Sequence, residues 1–179
     1  MTRQRTITVF GSSQPAPGSA AYEQARRLGS AIAAEGWALC NGGYGGTMEA
    51  GCRGAMEAAG DRAVTIGVTC SAFGRGGANR WVRREITTDR LEHRLARLIE
   101  IGDAYVVLPG STGTLLELAT VWEQTAKGFL AGKPIVLLGD FWKPVLDTIA
   151  REAPELLGCL DVVDTPEQAV AIIRRRLGG

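Results

Sequence analysis

The chain has 179 residues and a mass of 19.0 kDa, which suits one compact domain spanning 1–179. Hydrophobic residues make up 45% and charged residues 22%, enough to build a substantial core and against intrinsic disorder. Lys plus Arg (20) nearly cancels Asp plus Glu (19) to leave +1, which argues against a nucleic-acid partner and against a polybasic membrane anchor.

No apolar run approaches the roughly 18 residues of a membrane span. Met1-Thr-Arg-Gln-Arg5 leads directly into an apolar strand with no signal region, so a cytoplasmic enzyme or small-molecule binder is expected. Cys40, Cys52, Cys70 and Cys159 contain no CxxC pair and only one histidine, His93, accompanies them. They read as small buried hydrophobes, with neither a zinc site nor a disulfide framework. His93 would have to serve any Ser-His-Asp triad, and no G-x-S-x-G elbow accompanies it.

Taken in chain order, Thr6–Phe10 predicts a buried strand, and Gly11-Ser-Ser-Gln-Pro15 a turn. Ala21, Ala25, Leu28 and Ile32 recur at helical spacing until Gly36. Trp37–Cys40 predicts a short strand, Asn41–Gly46 a glycine turn, Thr47 to Ala59 a helix, and Ala63–Val68 another strand. Thr69 to Arg84, with Gly74, Gly76 and Gly77, predicts a long flexible loop near the site. A helix is expected from Thr88 to Ile101 with Leu91, Leu95 and Leu98 facing inward, then a strand over Ala104–Leu108. Pro109–Gly113 is a third glycine turn, followed by a helix from Thr114 to about Lys127. Pro134–Leu138, a helix from Trp142, a short strand near Val162 and Val163, and a helix from Pro166 complete the series.

Strands that are continuous apolar runs, alternating with helices, predict an α/β fold: a doubly wound, mainly parallel sheet with helices on both faces. A ligand then sits beyond the carboxyl ends of the strands, where all three glycine turns fall. A glycine turn entering a helix exposes amides at the positive end of the helix dipole and suits a phosphate without a lysine. Neither the P-loop nor the complete G-x-G-x-x-G pattern is present, so these turns fit nucleotide binding or the simpler needs of tight βα connections.

Pro109-Gly-Ser-Thr-Gly-Thr-Leu-Leu-Glu117 resembles P-G-G-x-G-T-x-x-E, the motif of the Lonely Guy (LOG) family, formerly labelled "lysine decarboxylases". The resemblance runs from Val9-Phe-Gly-Ser-Ser13 to Gly132-Lys-Pro134. It implies a Rossmann-like nucleotide-binding domain, a homodimer, and cleavage of the N-glycosidic bond of a nucleoside 5′-monophosphate. The family includes cytokinin riboside 5′-monophosphate phosphoribohydrolases. Glu117 matches the motif glutamate, and Arg94 the arginine that works with it. Ser111 replaces the second motif glycine, and Glu92-His-Arg-Leu95 keeps only the arginine of the family's His-Glu-Arg-Lys run. Asn41-Gly-Gly-Tyr-Gly-Gly-Thr-Met-Glu49 is more similar to the related molybdenum-cofactor-carrier-like branch.

The resulting expectation is hydrolysis of AMP, with or without an N6 modification, to free base and ribose 5-phosphate. Glu117 and Arg94 are its catalytic candidates. Ser12, Ser13, Gly43, Gly45, Gly46, Thr47, Gly110, Ser111, Thr112, Gly113 and Thr114 are its substrate- and phosphate-binding candidates. No metal or other cofactor is required, and pyridoxal phosphate chemistry is unsupported because Lys127, Lys133 and Lys143 lie outside the glycine turns. The alternative is a non-catalytic carrier of a nucleotide or molybdopterin-type cofactor.

Each residue also has a simpler reading. Thr114-x-x-Glu117 is a capping-box pattern, as is Thr165-x-x-Gln168. Arg90, Arg94 and Arg97 have the spacing of a solvated helix face. Glu49 complements a helix dipole or meets ligand, and Ser12 and Ser13 serve the turn or the substrate. His93 reads as a surface or interface residue. Arg80 and Trp81 are offered as a cover for the base.

Overall fold

A computed structural model describes residues 3–178. Within them seven strands form one parallel sheet: β1 (Thr6–Phe10), β2 (Ala38–Asn41), β3 (Thr65–Cys70), β4 (Arg84–Thr88), β5 (Ala104–Val107), β6 (Ile135–Leu138) and β7 (Leu160–Val163). The spatial order is β4-β3-β2-β1-β5-β6-β7. Ile7 pairs with Leu39 on one side and Ala104 on the other, so β1 is the central strand. The chain winds outward from β1 to β4, then restarts beside β1 with β5. This reversal opens a crevice at the carboxyl ends of β1 and β5.

Six helices cover the sheet: α1 (Ala20–Ala34), α2 (Thr47–Ala59), α3 (Leu91–Ile101), α4 (Thr112–Ala126), α5 (Lys143–Ala150) and α6 (Pro166–Leu177). Two apolar cores result. One joins Ile7, Val9 and Leu39 to Leu28 and Ile32 of α1, Cys52 of α2 and Ile173 of α6. The other joins Phe10, Val68 and Val107 to Leu98 of α3 and Leu118 and Val121 of α4. Burial of both sheet faces accounts for the apolar runs of β5 and β6, and β1 is buried along its whole length, its two threonines included.

Several expectations are corrected. The irregular stretch is shorter than predicted, because β3 continues to Cys70 and β4 occupies Arg84–Thr88. Arg-Glu-Ile-Thr-Thr carries no apolar run because β4 is an edge strand, exposed over much of its length, with Ile86 packed on the core. α3 therefore begins at Leu91 instead of Thr88, and Leu91 is 42% exposed while Leu98 is fully buried. Three cysteines are buried free thiols; Cys159 is only partly buried.

Two helix glycines serve packing. A methyl on Gly29 of α1 would overlap the carbonyl of Gly51 in α2, and one on Gly54 would overlap the carbonyl of Arg26. The two helices cross backbone against backbone.

Candidate active site

The turns after β1, β2 and β5 meet in one cleft of about 330 Å³. Ser12, Ser13, Gly42 and Ser111–Thr114 contribute to its wall. α4 starts at Thr112, and its N-cap, Ser111, makes no side-chain cap bond. The first-turn amides are thus left to an outside acceptor at the positive end of the helix dipole. Gly110 is needed where the chain turns into α4, since a methyl there would overlap Thr114.

Glu117 lies on the inward face of α4, only 8% exposed. Its capping-box reading fails: with Ser111 as N-cap, Thr114 is already inside the helix and Glu117 turns towards Arg94. Thr165 and Gln168 do form a capping box at α6, with Thr165 Oγ1 accepting from the Gln168 amide at 3.3 Å.

The solvated-face reading of Arg94 fails as well. Arg90 is exposed, but Arg94 is 8% exposed and reaches across the end of β3. Its Nε donates to the Val68 carbonyl at 2.8 Å, and its Nη1 donates to Glu117 Oε1 at 3.4 Å. Gly42 makes room for this guanidinium, because a methyl there would overlap Arg94 Nη2 and come within 2.7 Å of Met48 Sδ. A buried charge is tolerated only when paired, and Arg94 and Glu117 pair each other. Burial nevertheless pushes the Glu117 carboxyl up to about 7, with Arg94 pulling the other way. Desolvation dominates because the pair is at the long end of ion-pair distance. The result is a carboxyl that changes protonation near neutrality.

The second glycine turn is built by residues outside the predicted set. Asn41 Nδ2 donates to the Met48 carbonyl at 2.9 Å, and its Oδ1 accepts from the Gly43 amide at 2.8 Å. Asn79 Nδ2 donates to the carbonyls of Gly43 and Tyr44 at 2.9 and 2.8 Å, tying the long loop to this turn. Tyr44 is buried, its hydroxyl accepting from the Cys70 amide at 2.9 Å. Asn41 opens the glycine run already singled out in the sequence, where an Asn before two glycines indicates a turn, whereas no periodicity or motif marks Asn79.

Of the predicted binding residues, Ser12, Ser13, Ser111, Thr112, Gly113 and Thr114 line the cleft with Glu117 and Arg94. Gly43, Gly45, Gly46, Thr47 and Gly110 do not. Gly46, at φ 64°, packs on the backbone of Ser12 and Ser13, and Thr47 donates both its amide and its hydroxyl to the Ser12 carbonyl at 2.9 Å. Thr47 and Gly110 instead line an adjoining cavity of about 280 Å³ with Phe141.

Glu49 accepts from the Tyr22 hydroxyl at 3.3 Å. His93 is exposed, with Nδ1 2.6 Å from Asp89 Oδ1. Trp81 packs against the first core, with the Arg80 guanidinium 4.8 Å from its ring, and neither residue lines the cleft. Phe73 and Arg75, from the same loop, line it in their place. Among the described residues no group of three or more His, Cys, Asp or Glu side chains gathers as a metal site, and no helix is long and apolar enough to cross a membrane.

A doubly wound parallel sheet, with an uncapped helix N-terminus beside a buried carboxyl–guanidinium pair, defines a Rossmann-like α/β protein. The chain belongs to the SLOG cluster4 family, whose model matches residues 4–170. It is 31% identical to a cytokinin riboside 5′-monophosphate phosphoribohydrolase of Mycobacterium tuberculosis, over 95% of this chain and 94% of that protein. A protein of the same name from Rhodococcoides fascians is 29% identical, over 95% and 89%. Among solved structures, the molybdenum cofactor binding protein of Rippkaea orientalis is similar, with a TM-score of 0.78, 26% identity and 99% of both chains covered.

Proposed function

We propose that the protein is a phosphoribohydrolase, taking an adenosine 5′-monophosphate, with or without an N6 substituent, and water to free base and ribose 5-phosphate. The observation that carries this reading is Glu117, a buried carboxyl with its pKa near 7, held by Arg94 beside an uncapped helix N-terminus. The 5′-phosphate accepts from the first-turn amides of α4, next to Ser111 and Thr112. Glu117 follows Gly113 by about one turn, or roughly 6 Å of helix rise, which matches the span of a ribose.

The glycosidic bond to C1′ breaks as positive charge builds on the ribose ring. Ionised Glu117 stabilises that charge and takes a proton from the attacking water. The oxygen of that water bonds to C1′ while the electrons of the C1′–N bond leave with the base, which takes up the proton that Glu117 removed from the water. Arg94 stays protonated, so it is a positioning group for Glu117 and not a proton donor. The names of the mycobacterial and Rhodococcoides relatives support the same chemistry.

The likeness to a molybdenum cofactor binding protein favours a second reading, a carrier for a phosphate-bearing pterin cargo. A carrier would use the helix N-terminus but has no need of a near-neutral buried carboxyl. The two separate on incubation with AMP and with adenosine. Equal amounts of adenine and ribose 5-phosphate from AMP, with at least 100-fold slower release from adenosine, are expected of the hydrolase. Binding of AMP with no adenine released would favour the carrier.

A further inference from the structure

Beside Arg94 the cleft is lined by two aromatic rings, Tyr44 and Phe73, that the acid–base chemistry does not use. Phe73 closes a short 3-10 turn, Ser71–Phe73, and lines the cleft while 40% exposed. Its ring lies 6.2 Å from that of buried Tyr44, tilted by 41°. The Arg94 guanidinium is 5.7 Å from the Phe73 ring and 5.8 Å from the Tyr44 ring, and Arg75 is 5.3 Å from Tyr44. The loop is held in place at two further points. Asn79 ties it to the second glycine turn, and the Ala78 amide donates to Glu85 of β4 at 3.0 Å. An apolar ring kept half in solvent by a pinned loop is arranged to receive a flat partner.

Neighbouring groups of the cleft form a series: Glu117 stands about one turn from the open amides of α4, Arg94 is 3.4 Å from Glu117, and the Phe73 ring is 5.7 Å from the Arg94 guanidinium. A nucleoside 5′-monophosphate carries phosphate, ribose and base in the same order. We propose that Phe73 is the residue that selects for a base, stacking its ring on the heterocycle of the bound nucleotide. This rests on the nucleotide reading of the site but does not require that the glycosidic bond be cleaved.

Calorimetric titration of wild type, Phe73→Ala and Phe73→Trp with AMP and with ribose 5-phosphate tests it. Base–aromatic stacking by substitution predicts about tenfold weaker AMP binding by Phe73→Ala. Ribose 5-phosphate affinity should stay within about twofold, since that ligand lacks the base, and Phe73→Trp should restore AMP affinity. Parallel loss for both ligands, unchanged AMP affinity in Phe73→Ala, or no AMP binding by wild type would overturn the proposal. The selective pattern in a protein that releases no adenine would leave base stacking standing and remove the hydrolase.

Discussion

At the residue scale the site turns on one carboxyl that is costly to bury. Glu117 accepts from Arg94, yet desolvation outweighs that attraction and its pKa rises from 4.5 to about 7. The folded protein therefore holds this proton more tightly than the unfolded chain does. The stability linked to it is fully present below about pH 4.5 and is lost as pH rises through about 7. Glu117→Gln keeps a neutral, similarly shaped side chain and escapes that loss. Denaturant titrations should show the variant gaining stability relative to wild type between pH 5 and pH 8, by about 1–3 kcal/mol. A constant difference across that range would mean that Glu117 is already ionised at pH 5. Glu117 and Arg94 were legible in the sequence only through the family motif. Local pattern pointed to a cap for one and a solvated face for the other. What overrides local pattern is tertiary: the helix starts two residues earlier, and Gly42 clears space for a guanidinium from a distant segment.

At the element scale, apolar runs and glycine punctuation located six strands and six helices to within a few residues. The missed strand, β4, is polar because it lies at the sheet edge and buries little beyond Ile86. Its ladder is reinforced by side chains instead, with Thr69 Oγ1 donating to Glu85 Oε1 at 2.7 Å and Thr88 Oγ1 to the Thr69 carbonyl at 2.9 Å. The reading of Gly36 as a helix stop holds, with φ at 73° after α1. Gly29 and Gly54, which the sequence also places within helices, do a different job where α1 and α2 touch. Sequence spacing does not distinguish a glycine that ends a helix from one that admits a neighbouring backbone. Gly54→Ala would improve helix propensity by up to about 1 kcal/mol but force the helices apart. A net destabilisation of about 1–3 kcal/mol by chemical denaturation is expected; a stabilised variant would show that the helices separate freely.

At the scale of the whole molecule, the reversal of strand order beside β1 brings three βα turns from distant parts of the chain into one cleft. That gathering was legible, since strands followed by glycine turns in a parallel sheet place those turns at one edge. Which turns line the cleft was not. The first and third supply Ser12, Ser13 and Ser111–Thr114 to the wall, whereas most of the second is spent on internal support. Only Gly42, Tyr44 and Met48 of that region reach the cleft. The fold thus divides the work: α4 presents amides and the carboxyl, α3 brings Arg94, and the β2–α2 turn and long loop hold the far wall. The measurement that tests this most directly is free-base release from AMP and from N6-isopentenyl-AMP by wild type and Glu117→Gln side by side. Base released by wild type, with the variant slowed at least 100-fold while still binding AMP, is the predicted result. Release at equal rates by both proteins, or by neither, would contradict the assignment of Glu117 as the carboxylate that drives cleavage.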